Sequence, residues 1–153
     1  MIIVQLAVLF ILAGLAFLVI TPWTAWLWLI LGILLGLAIV YGDEHYSFRL
    51  YLDPRSSPQT RMGLVTRSLL FLLVFGPLAL FVVTSSGSLI GQGMVTAMAV
   101  VYATELWQWR RDEAGFARKF LWQTKAVFDQ RERNFSAVIM MVLVGLLGFL
   151  ILF

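Results

Sequence analysis

Glu44 and Glu105 are the acidic residues whose setting most invites a chemical reading. Each stands three residues after a tyrosine (Tyr41, Tyr102) and five before an arginine (Arg49, Arg110). A carboxylate at the rim of an apolar helix serves as an ion-pair partner, a proton carrier or a transport ligand. Helical neighbours are three or four residues apart, so neither glutamate faces its own arginine. The expected pairing runs between the two halves of the chain: Glu44 with a base of the second half, Glu105 with a base of the first. An interhelical or headgroup ion pair is favoured over a catalytic role. At 100° per residue, Glu105 projects about 120° from a small-residue stripe beginning at Gly93, which argues against a place at the bundle centre.

Other chemistry is thinly represented. Asp43-Glu44-His45 is the one cluster that could hold a metal, but consecutive helical residues diverge by about 100° and no partner at ligand spacing accompanies them. The chain has no cysteine, which removes disulfides, thiolate metal sites and a cysteine nucleophile, and a single histidine, which removes paired haem ligation. Nucleophile elbow, phosphate loop and zinc motifs do not occur. No metal, cofactor or nucleic-acid partner is expected, and an enzyme with a site at the membrane edge is the least supported reading.

The elements that must position these residues are membrane helices. Apolar residues make up 61% of the 153 and charged ones 12%, with a mean hydropathy of +0.95. Soluble domains run near half apolar and a quarter charged, so a soluble enzyme and a disordered chain are both excluded. A span needs about 20 apolar residues, and five segments qualify: Ile2–Ile20, Trp23–Tyr41, Leu64–Val83, Ser88–Trp107 and Phe135–Phe153. The first is expected to be a retained helix, since no basic residue precedes it. Short turns at Thr21-Pro22 and Thr84–Gly87 make the first four spans two antiparallel hairpins.

All 11 basic side chains fall in the two polar segments or at their edges, on one predicted face. The positive-inside bias makes that face cytoplasmic, with the amino terminus inside, the carboxyl terminus outside and anionic headgroups as partners; a bacterial cytoplasmic membrane is the expected setting. Aromatic anchors agree: Trp23, Trp26 and Trp28 at the outer interface, and Tyr41, Tyr102, Trp107 and Trp109 towards the inner one. Residues Gly115–Asp129 project as an amphipathic helix with Phe116, Phe120, Leu121, Thr124, Val127 and Phe128 on one side, suited to the headgroup layer or to a partner.

The two hairpins also resemble each other. Ala38–Arg49 and Ala99–Arg110 share A-[IV]-V-Y-x-x-E-x-[YW]-x-[FW]-R, and Gly32 and Gly36 align with Gly93 and Ala97. Both hairpins run the same way, which predicts a parallel repeat about an axis along the membrane normal. Small-xxx-small pairs let helices approach closely. Gly76-Pro77 is expected to bend the third span.

The expected organisation is a first repeat over 1–52, a loop over 53–63, a second repeat over 64–110, an amphipathic segment over 111–134 and a fifth span over 135–153. No ionisable side chain sits at mid-span, which weighs against a channel or transporter, although an oligomeric pore is the nearest alternative. The expected function is a structural or accessory subunit that packs against other membrane subunits or copies of itself.

Overall fold

A computed structural model describes residues 2–19, 23–51, 65–121 and 127–152; the side chains at 2, 12, 13, 15–19, 23, 44–51, 65 and 152 lie outside the described set. The fold is all-helical. Six α-helices follow one another among the described residues: α1 Ile2–Val19, α2 Trp23–Tyr51, α3 Leu69–Ser85, α4 Leu89–Trp109, α5 Glu113–Phe120 and α6 Gln130–Leu152. Three helical segments, Thr24–Asp43, Leu89–Trp109 and Gln130–Ile151, are long and apolar enough to cross a membrane; α3 is apolar and shorter, at 17 residues. In hydrocarbon a helix satisfies its own backbone, which is why such runs fold this way.

Serine and aspartate caps start three of the helices. Ser68 and Ser88 accept from the Phe71 and Gly91 N–H groups at 3.2 Å, and Asp112 accepts from Gly115 N–H at 3.0 Å. The turn from α3 to α4 is Ser86-Gly87-Ser88, in which Gly87 has φ +58°, a conformation a side chain disfavours. α3 stays helical through Pro77, which cannot donate to the Leu73 carbonyl one turn back.

α4 is the axle of the bundle. It packs against every other α-helix described. Of its most apolar stretch 67% is buried, against 28% for α2 and for α6, so α4 faces protein where they face their surroundings. Its small residues permit this. A Cβ on Gly32 would lie 2.1 Å from the Ile90 carbonyl oxygen, one on Gly36 2.4 Å from that of Met94, and one on Gly93 2.4 Å from that of Leu29. The contacts advance together along both helices, so α2 and α4 run parallel, backbone on backbone. The small residues picked out in the sequence face each other: the Gly93 Cβ position is 3.3 Å from the Gly32 Cα, and that of Gly36 is 3.1 Å from the Ala97 Cβ.

Several boundaries differ from the sequence expectation. α2 runs ten residues beyond Tyr41, since neither proline nor glycine interrupts it after Gly42. α3 begins at Leu69 behind a 3₁₀ turn over Val65–Arg67, and α6 begins at Gln130. The helix expected over Gly115–Asp129 covers only Glu113–Phe120, and 127–129 is not helical. Thr124 lies outside the described residues. Nor does the apolar side of α5 look outward. Phe116, Phe120 and Leu121 are buried in the main core with Tyr102 and Leu106, while Val127 is exposed. Gly115 lets the helix sit against the Trp109 ring, 2.4 Å from where a Cβ would stand.

Candidate functional site

Glu105 is fully buried, contrary to its projection away from the bundle centre. The projection assumed that α4 has one inward face. With helices on all sides, it has scarcely any outward one. Arg67 is also fully buried and donates from Nε and Nη2 to the two carboxylate oxygens at 2.7 and 2.9 Å, a bidentate fork. Lys119 of α5 adds its ammonium 3.2 Å from Oε2. One carboxylate thus fixes the approach to α3, the end of α4 and the helix that follows. Its partners are not bases of the first hairpin, as expected, but Arg67 beside α3 and Lys119 on α5.

A second polar set lies at the same end. The Tyr41 hydroxyl donates to Gln5 Oε1, and Gln5 Nε2 donates to Thr104 Oγ1 at 2.9 Å, which links α2, α1 and α4. Asp43 Oδ2 accepts from both the Thr66 N–H, at 3.1 Å, and its hydroxyl, which ties α2 to the start of α3. Asp43 is thus bonded just before the start of α3 and Thr104 near the start of α1. Tyr102 is fully buried at the same end, its ring packed edge-on against Phe71 and Phe75.

The remaining expected residues fall as follows. Arg110 does not pair with Glu105; its guanidinium lies 3.2 Å over the Trp107 ring and donates to the Trp107 carbonyl at 2.7 Å. Glu44 and Arg49 lie on α2, with side chains outside the described set, as does that of Trp23. Trp28 and Trp107 are exposed, and Trp26, Tyr41 and Trp109 are half-buried. Tyr102, expected among the interface anchors, is instead a core residue. His45 has its side chain outside the described set, and no group of three or more His, Cys, Asp or Glu residues able to hold a metal occurs among the described residues.

Sequence reasoning missed Arg67, Lys119, Gln5 and Arg133 as structural centres. Arg133 is buried and holds the start of α6 to the chain before it: Nη1 donates to the Phe128 carbonyl at 2.7 Å and Nε to the Arg110 carbonyl at 3.2 Å. For Arg67 a signal was present, since it is the one basic residue that falls inside an expected span, Leu64–Val83.

The arrangement is suited to holding helices in register. A buried carboxylate whose two oxygens already receive a guanidinium fork and an ammonium has no lone pair facing open space. No family model matches this chain, and no curated protein or solved structure was found to be similar to it.

Proposed function

We propose that this chain is a non-catalytic structural subunit of a membrane assembly. In this reading all five apolar helices cross the bilayer, as two parallel-repeat hairpins with α6 added. The polar end faces the cytoplasm of a bacterial cell, the amino terminus is inside and the carboxyl terminus outside. The observation that carries it is the state of Glu105. A transport or catalytic carboxylate must exchange partners or meet water during its cycle, whereas this one is enclosed and held by Arg67 and Lys119.

Three further features support the architecture. Aligned residues of the two repeats meet on parallel helices, as a twofold axis along the membrane normal requires. Asp43 and Thr104 make reciprocal bonds across the same axis. The basic residues with described side chains, Arg67, Arg110, Arg111, Arg118, Lys119, Arg131 and Arg133, gather at one end, as the positive-inside bias demands of a cytoplasmic face. The twofold breaks at α6, which packs on α4 and draws α1 and α3 against itself.

Extraction in native-lipid discs followed by mass determination tests the reading. The expected species contains more than one polypeptide; a lone chain overturns it. Orientation is tested separately: Ser86→Cys should label from outside the cell and Arg111→Cys should not.

A further inference from the structure

We propose that the face formed by α3 and α6 is the interface of a homodimer, in which α6 of a second copy seats in the groove between these helices about a twofold axis along the membrane normal. The proposal rests on the structural-subunit reading and names the partner.

The groove has a volume of about 610 Å³ and apolar walls that include Leu73, Gly76, Pro77, Ile139 and Met140. Two acceptors interrupt those walls, at two depths. The first is the Leu73 carbonyl, from which Pro77 has removed the helical donor. In a membrane helix such a carbonyl is re-satisfied by a local 3₁₀ adjustment, a Ser or Thr hydroxyl, an ordered water or a neighbouring helix, and a second copy supplies the last of these. The second is the Glu132 carboxylate at the polar end of the groove. One of its oxygens accepts from the Asp129 N–H at 2.9 Å, and the side chain is otherwise exposed. A lipid tail offers neither acceptor a donor, and an anionic headgroup would be repelled by Glu132.

A second copy brings what is missing at both depths. A twofold along the membrane normal keeps each residue at its own depth, so neighbours in the sequence meet across the axis. Arg131, exposed and adjacent to Glu132, then meets the Glu132 of the other copy. Ser136 lines the groove one turn beyond Glu132, much as Leu73 lies one turn beyond Leu69, which also lines it. Its hydroxyl now turns back to its own Glu132 carbonyl at 2.9 Å, and it is the donor at hand for the Leu73 carbonyl opposite. The apolar fit is also self-complementary. Beside the groove, α6 presents a ridge of exposed Phe135, Val138, Val142 and Phe149, so each copy offers both ridge and groove.

The absence of native cysteine makes the test direct. Ile139→Cys, oxidised in native membranes, should yield a covalent species of twice 17.3 kDa, while Leu34→Cys on the exposed side of α2 should not. Adding Glu132→Arg to Ile139→Cys should abolish the cross-link, and adding Arg131→Glu as well should restore it, which separates lost pairing from a lost fold. Cross-linking at Ile139→Cys no greater than at Leu34→Cys, capture of a different protein there, or a charge swap that fails to restore it would each overturn the homodimer. An assembly with a different polypeptide would leave the structural-subunit reading standing; a lone chain in lipid discs would end both.

Discussion

The contact between α2 and α4 has two ends that are held by opposite means. Away from the polar end, Gly32, Gly36 and Gly93 bring the two backbones together with almost nothing between them. At the polar end the same pair of helices is joined to its neighbours by side chains: Tyr41 and Thr104 through Gln5, Asp43 through Thr66, and Glu105 through Arg67 and Lys119. Membrane helices gain little by burying apolar surface against each other, since lipid is as apolar as leucine. The small-residue end therefore works by shape and fails when atoms are added. The polar end works by pairing and fails when atoms are removed.

The largest effect should come from breaking the polar end at its centre. Glu105→Ala removes the carboxylate that receives the buried Arg67 fork and the Lys119 ammonium, and is expected to destabilise the bundle by about 3–5 kcal/mol, read as a loss of thermal stability in lipid discs. Glu105→Gln keeps the shape and some hydrogen bonding, so it should cost less than alanine. Equal losses would show that packing around the side chain, rather than charge, holds this end together.

At the other end, Gly32→Ala places a methyl 2.1 Å from a backbone oxygen that cannot swing away, so the helices must separate. Overpacking of this kind costs about 1–3 kcal/mol. The control is Gly14→Ala, whose Cβ meets nothing within 4 Å and which should be neutral or slightly stabilising. A neutral Gly32→Ala would show that the close approach is not needed.

Smaller changes should follow the burial of each partner. Gln5→Leu removes the link between Tyr41 and Thr104, and polar contacts of this type in membrane bundles are worth about 0.6–2 kcal/mol. Glu113→Ala removes an ion pair with Arg133 at 3.3 Å whose carboxylate is 66% exposed, and melting temperature should hardly move. A large loss from Glu113→Ala would sink the distinction between enclosed and exposed pairs.

Composition made the helical fold legible, and the paired small residues of α2 and α4 were legible from spacing. The site was only half legible. The shared Tyr-x-x-Glu spacing singled out Glu105, but helical projection moved it away from the centre because projection treats a helix as having one buried side. Encirclement by five neighbours cannot be read from the sequence of α4 alone. Arg67 and Lys119 were invisible as its partners for a related reason: they are 38 and 14 residues away in the chain, beyond any local rule, and only the fold brings them in. α5 shows a further limit. Its amphipathic pattern is equally suited to a lipid surface and to a protein core, and the bundle left a core for Phe116 and Phe120 to complete.

The most direct test of a purely structural role for the buried charge is a double-mutant cycle on Arg67 and Glu105, with both stability and assembly measured in native-lipid discs. Arg67→Leu and Glu105→Leu should each be strongly destabilising. The pair together should recover to within about 2 kcal/mol of the unmodified protein and retain its assembly, because removing both fully buried charges removes their desolvation cost along with the bond and leaves only the partly exposed Lys119 to turn to water. A coupling near zero, or a stable double variant that no longer assembles, would contradict the account.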